Sequence, residues 1–171
     1  GLVGSEMCIR DSRMKVDFAV AQAFIKEGTD TVFGLLGDSQ LAWWPEMARL
    51  GAKFVDARDE GAAVAMADGW ARATGKVGVA SVTHGPGVSR IATSLITAAR
   101  YRTPLVVHTG ATPFNKEQAL QYLDQEKLVS STGAGYIEAL TPEYAETAVR
   151  DAFYRAQVET RPIVLSIPSD V

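Results

Sequence analysis

The feature that most constrains the fold is a series of short apolar runs that alternates with segments of helical periodicity. The run at 31–36 (TVFGLL) lacks the polar–apolar alternation of a strand with one face in water. It is therefore typical of a strand that is covered on both faces. The same reasoning, with shorter and weaker segments included, predicts six strands, at 31–36, 53–56, 77–83, 105–108, 136–139 and 162–167.

The intervening segments predict helices. In 17–27 the apolar residues Phe18, Ala21 and Phe24 recur at helical spacing, and Gly28 follows where a helix would end. Further helices are expected at 59–74, 88–101, 124–129 and 142–157. The segment 40–50 is also helical in pattern, with either a break near Pro45 or a helix that starts near that proline. Alternating strands and helices predict an α/β fold, a doubly wound parallel six-stranded sheet with helices on both faces.

Ligands of such sheets bind beyond the carboxyl ends of the strands. The loops at 36–39, 57–60, 83–88 and 109–114 are therefore expected to form the site. The default ligand for this architecture, a dinucleotide, is disfavoured because the turn at 34–39 (GLLGDS) lacks the third glycine of the dinucleotide fingerprint. The chain also has no phosphate-binding motif of the form GxxxxGK[ST].

Composition excludes several classes of partner. The formal net charge is −3, and the arginines, Arg90 among them, are scattered and interpreted as solvated, so no nucleic-acid partner is expected. No apolar run is long enough to span a bilayer, and a cytoplasmic location fits. One cysteine, Cys8, and two histidines give no basis for a metal site in this chain.

The chain is predicted to comprise one domain, residues 14–171, preceded by a tail. Residues 1–13 have neither helical nor strand periodicity and are interpreted as a non-native or disordered segment ahead of Met14. The chain ends just after its last predicted strand, which resembles a domain boundary. More protein is therefore expected to follow in the gene.

Two segments stand out as candidate sites. Glu60 follows a predicted strand and begins a helix, where it could be either a favourable helix-terminal charge or a carboxylate that holds a proton on a ligand nitrogen. The segment Thr83–Gly87 (THGPG) could be an ordinary turn or a place where a ligand approaches the backbone closely. His84 within it is either a loop residue or a catalytic base.

Together these segments resemble the N-terminal pyrimidine-binding domain of thiamine-diphosphate enzymes related to acetolactate synthase. The resemblance covers nearly all of 14–171 and is specific in the order and spacing of its motifs. The matching stretches are TVFGLLGD at 31–38, RDEGAA at 58–63, MADGWARATG at 66–75, GPG at 85–87 and IPSD at 167–170.

The resemblance implies an enzyme that decarboxylates or ligates 2-keto acids and in which Glu60 is catalytic. A glutamate at this position hydrogen-bonds N1′ of the aminopyrimidine of thiamine diphosphate and activates the cofactor. The implied cofactor-binding residues are Gly37, Asp38, Glu60, Thr83, His84, Gly85, Pro86 and Gly87. Asp38 and Gln125 are the implied substrate residues.

The same resemblance implies partners. Mg²⁺ and the diphosphate are held in this family by a separate domain whose motif this chain lacks, so the chain alone is expected to be an inactive fragment. The site would form between subunits of a homodimer or homotetramer. FAD occurs in the family, but no motif here supports it.

Two departures from the family pattern bear on substrate. The paired histidines of pyruvate decarboxylases are missing around 129–131, and 124–126 reads DQE where acetolactate synthases usually carry FQE.

Two alternative functions remain open. The chain could be one subunit of a two-chain decarboxylase of the sulfopyruvate decarboxylase type, or a non-catalytic, flavodoxin-like binding module.

Overall fold

The computed structural model describes residues 16–113, 118–168 and 171. Its six strands form one sheet in the order β2-β1-β3-β4-β6-β5, and every neighbouring pair is parallel. The strands are β1 (Thr31–Gly34), β2 (Lys53–Asp56), β3 (Gly78–Ser81), β4 (Leu105–Ala111), β5 (Gly135–Glu138) and β6 (Pro162–Pro168). The predicted α/β class, with six parallel strands, is confirmed. The proposed tail, residues 1–13, lies outside the described residues.

Helices cover both faces of this sheet. They are α1 (helical over residues 16–26), α2 (Trp43–Arg49), α3 (Glu60–Thr74), α4 (Pro86–Arg90), α5 (Ala92–Arg100), α6 (Gln125–Ser131) and α7 (Pro142–Glu159). One apolar cluster joins α1, α2 and α7 to the sheet, and a second joins α3, α5 and α6 to the other face. Within the described ranges, no helix has both the length and the apolar character needed to cross a membrane.

Local chemistry explains where the long helices begin and end. Asp59 caps α3, since its carboxylate accepts the N–H of Ala62 at 3.2 Å, and Gly75 ends the helix in the left-handed conformation at φ 74°. Thr141 caps α7 in the same way, with Pro142 at the first helical position. These termini match the sequence-based boundaries.

Of the two alternatives for the segment 40–50, a helix that starts near Pro45 is the one observed. A 3₁₀ turn (Asp38–Gln40) precedes α2, which starts at Trp43 and places Pro45 in its first turn. Proline is tolerated there because the first N–H groups of a helix have no intrahelical partner. The segment 88–101 is divided into α4 and α5, which meet at Ile91.

A polar network lies inside the core beneath the carboxyl ends of β1, β3 and β4. Gln40, which is fully buried, donates to the Leu35 carbonyl and to Ser81 Oγ, both at 3.2 Å. Ser81 Oγ lies 3.1 Å from Nδ1 of His108, whose ring stacks on Trp43 at 4.1 Å between centroids. Burial lowers the pKa of His108 to about 3, so its imidazole is neutral at pH 7.

The depressed pKa of His108 predicts loss of stability in mild acid. The unfolded chain takes up a proton at this residue below a pH of about 6.5, whereas the folded chain does not until about pH 3. The contribution of the neutral His108 to the free energy of unfolding is therefore present above pH 6.5 and is lost as the pH falls towards 3. From pH 7 to pH 5 the loss is roughly 2 kcal/mol in the free energy of unfolding.

We expect His108→Gln to remove the pH-dependent contribution of His108 to the free energy of unfolding. The measurement is urea unfolding of the wild type and the variant at pH 7 and pH 5. The fall in unfolding free energy between the two pH values should be smaller in the variant by roughly 2 kcal/mol. Parallel pH dependence in the two proteins would show that the His108 imidazole already charges in the folded state.

Candidate functional site

Near the carboxyl ends of β1, β3 and β4 the chain packs so closely that two positions have no room for a side chain. A Cβ placed on Gly37, after β1, would lie 2.6 Å from the Cβ of Thr83, which follows β3. A Cβ on Gly110, in β4, would lie 2.5 Å from that of Ser39. The hydroxyls of Ser39 and Thr83 are 3.4 Å apart. The loops after β1 and β3 therefore pack with the end of β4 as one unit at one edge of the sheet.

Glu60 reaches this edge from the loop after β2. It is the first residue of α3, and its side chain is only 13% exposed. Gly87 lies against it, since a Cβ on that glycine would be 3.6 Å from both Cγ and Oε1 of Glu60. A side chain at position 87 would therefore begin in van der Waals contact with the carboxylate, and the glycine leaves backbone alone on that side of Glu60.

Arg90 pairs with both acids at the start of α3. Its Nε lies 3.0 Å from Glu60 Oε2 and 3.0 Å from Asp59 Oδ2, and its Nη2 also contacts Asp59. The hydrogen bond from Arg90 lowers the pKa of Asp59, and the two carboxylates, Asp59 foremost, raise the pKa of Arg90. The charge of Glu60 is thus compensated from within the chain.

The turn Thr83–Gly87 has a backbone that requires glycine at its centre. Gly85 has φ 65° and ψ −108°, and a Cβ there would lie 2.1 Å from the carbonyl oxygen of Gln121. Pro86 then begins α4, where its missing N–H costs no helical hydrogen bond. A side chain at position 85 is therefore excluded by steric clash, and this turn differs in that respect from an ordinary strand-to-helix turn.

His84 is a buried residue of this turn. It is 8% exposed, and its Nδ1 has no hydrogen-bond partner in the part of the chain that the structure describes. Burial lowers the pKa of His84, and the negative charge of Asp38 opposes that shift. Asp38 itself is exposed, at the start of the 3₁₀ turn.

Gln125 also belongs to this edge. It is the first residue of α6 and is 5% exposed, and its Oε1 accepts the N–H of Gly85 at 3.1 Å. The structure therefore brings all the sequence-predicted site residues to one edge of the sheet. They are Gly37, Asp38, Glu60, Thr83, His84, Gly85, Pro86, Gly87 and Gln125.

Arg90 is the site residue that the sequence analysis missed, since it was grouped with solvated arginines. The sequence feature that could have identified Arg90 is its position three residues after Gly87, at the end of a helix that starts in the Thr83–Gly87 turn. Arg90 also borders a surface groove of about 500 Å³ between α3 and α5, which is lined by Asp59, Gly61, Ala62, Ala65, Arg90, Thr93 and Ser94. Among the described residues, no three or more His, Cys, Asp or Glu side chains are grouped as a metal site.

Comparison with known protein sequences finds relatives that cover most of this chain. The chain is 34% identical over 155 residues to the acetolactate synthase large subunit of Haemophilus influenzae, covering 88% of this chain and 27% of that protein. It is 33% identical over 159 residues to a probable 2-ketoarginine decarboxylase of Pseudomonas aeruginosa, covering 90% of this chain and 28% of that protein.

A third relative is the sulfoacetaldehyde acetyltransferase of Rhodobacter capsulatus, with 27% identity over 161 residues, which covers 93% of this chain and 27% of that protein. The chain thus spans about a quarter of the length of these relatives. Residues 14–128 match the family model described as "Thiamine pyrophosphate enzyme, N-terminal TPP binding domain". This chain therefore belongs to the thiamine pyrophosphate enzymes, of the acetolactate synthase-like type.

Proposed function

We propose that this chain is the pyrimidine-binding domain of a thiamine-diphosphate enzyme that ligates or decarboxylates 2-keto acids, with Glu60 as its catalytic carboxylate. The observation that carries the proposal is the position of Glu60, a largely buried carboxylate at the strand-end edge with glycine backbone against it. The named activities of the relatives include a synthase and a decarboxylase, so both reaction types are retained.

The residues at this edge suit the pyrimidine half of the cofactor. A flat ring would lie against Glu60 where position 87 has no Cβ, and the close-packed backbone of Gly37 and Thr83 would supply a rigid wall. When bound, thiamine diphosphate supplies a nucleophilic carbon that adds to the keto carbon and a ring that accepts the electrons released by decarboxylation. Glu60 would hold the proton at N1′ of the pyrimidine.

The other residues of the edge have supporting roles in this proposal. His84 and the turn Gly85–Gly87 would line the ring and exclude water from it, which strengthens the hydrogen bond to Glu60. Asp38, exposed near the buried His84, would face the substrate.

The remaining parts of the site would come from outside this chain. The relatives are about four times as long as the matched segment, which leaves room for a domain that binds the diphosphate and Mg²⁺. We propose that this domain belongs to a partner subunit in a homodimer or homotetramer. The chain alone would then be inactive.

The first test is Glu60→Gln in the full-length enzyme that carries this domain. The amide cannot exchange a proton with N1′, so we expect exchange of the cofactor C2 proton to slow by at least about 100-fold, as followed by quenched-flow NMR. Glu143→Gln, an exposed position on α7, is the matched control and should exchange at the wild-type rate. Wild-type exchange in Glu60→Gln would overturn the proposed function.

The second test is titration calorimetry of the isolated chain with thiamine diphosphate and Mg²⁺. We expect no saturable binding to the chain alone, because the diphosphate would have no partner here. Binding should appear when the diphosphate-binding domain is added. Tight binding of a nucleotide in place of the cofactor would instead indicate a binding module.

A further inference from the structure

The strand β5 ends in a carboxylate on the face of the sheet that Gln125 contacts. Glu138 is the last residue of β5 and is in register with Ser166 of β6, so the two side chains project to the same face. Ser166 Oγ lies 3.4 Å from Nε2 of Gln125, whose Oε1 accepts the N–H of Gly85. A row of neighbouring residues therefore leads along the strand-end edge from the turn beside Glu60 to β5, the last strand of the sheet.

The hydroxyl of Tyr136 connects this carboxylate to the rest of the row. It donates a long hydrogen bond of 3.5 Å to Glu138 Oε1. Burial raises the pKa of Tyr136 to about 12, and its proximity to the Ser166 and Gln125 side chains opposes that shift. The phenol is therefore protonated at neutral pH and acts as a donor. Four polar side chains thus lie together at the ends of β5 and β6.

Glu138 makes no ion pair with any residue that the structure describes. It is half-buried, and burial raises its pKa. Lys127 on α6 and Arg155 on α7, the two helices that contact β5, are paired instead with Asp124 and Glu159. A half-buried carboxylate without a counter-ion is unfavourable, and a cation that bound beside it would remove that cost.

The second oxygen of Glu138 is available for such a cation. A carboxylate can accept about four hydrogen bonds, and Tyr136 occupies one position, at Oε1. Oε2 accepts no hydrogen bond from the described residues. A guanidinium has parallel N–H donors that match the two oxygens of a carboxylate, and its charge compensates the carboxylate at the same time.

We propose that Glu138 is a specificity-determining residue, which pairs with a positively charged group at the distal end of the 2-keto acid. This proposal rests on the proposed function and names the class of its substrate. The reacting keto carbon must lie near the cofactor that Glu60 activates, whereas Glu138 stands at the far end of the row. Gln125 would contact the substrate between them, in agreement with the role that the family resemblance implies.

The experiment compares two 2-keto acids of almost the same shape but different charge. One is 5-guanidino-2-oxopentanoate, which is cationic at its distal end, and the other is 5-ureido-2-oxopentanoate, which is neutral there. CO2 release is measured with the full-length enzyme, thiamine diphosphate and Mg²⁺, because ligation and decarboxylation both release CO2. We expect kcat/KM to favour the cationic substrate by at least about ten-fold, as one charge-assisted contact would give.

Three variants test whether Glu138 is the source of this preference. Glu138→Gln removes the charge but keeps the shape, and we expect it to reduce the preference to less than about two-fold. Glu138→Asp retains the charge on a shorter side chain, so its preference should be intermediate, and it keeps the test decisive if Glu138→Gln fails to fold. Glu126→Gln, at an exposed position on α6, is the matched control and should retain the wild-type preference.

The outcomes distinguish this proposal from the one on which it rests. Exchange of the cofactor C2 proton, measured without substrate, should proceed at the wild-type rate in Glu138→Gln and slowly in Glu60→Gln. If Glu60→Gln left exchange unchanged, the proposed function would fail, and the role of Glu138 with it. With that function intact, a wild-type enzyme that does not prefer the cationic keto acid, or that releases CO2 from pyruvate alone, would overturn the role of Glu138. An undiminished preference in Glu138→Gln would do the same.

Discussion

The parallel direction of all six strands is the constraint on which the site depends. Every strand ends at the same edge of the sheet, so the loops that follow β1, β2 and β3 meet there although their residues lie far apart in sequence. Side chains would hold these loops apart. The glycines at 37, 87 and 110 remove that obstacle, and the backbone itself becomes the wall of the site.

Polar groups are buried in two different ways around this edge. Beneath it, Gln40, Ser81 and His108 form a neutral network in which burial keeps the imidazole uncharged. At the edge, Glu60 is paired with Arg90 across 3.0 Å. A neutral network keeps the core free of charge, whereas a charged pair is tolerated where Arg90 still reaches solvent.

Local sequence patterns were sufficient to predict much of the fold. Asp59 and Gly75 fix the two ends of α3, and the run beginning at Thr31 is the buried strand that its apolar pattern indicates. The division of 88–101 at Ile91 was not predictable, because the segment contains no proline or glycine after Gly87. Tertiary packing, rather than local propensity, decides such breaks.

Part of the site was predictable from the order of the strands. Glu60 and the Gly85–Gly87 turn are placed by the ends of their own strands, so sequence order was enough to bring them together. The contacts of Arg90 and Gln125 join residues 30 and 40 positions apart, and no periodicity encodes them. Both partners are specified only by three-dimensional packing.

The ion pair between Arg90 and Glu60 lets a largely enclosed carboxylate fold without a ligand beside it. A largely enclosed carboxylate left without a counter-ion would oppose folding until some ligand arrived. Because the guanidinium is supplied from the same chain, the Glu60 carboxylate has its counter-ion within the folded chain itself. A ligand that approached this side chain would therefore meet a carboxylate whose charge is already compensated.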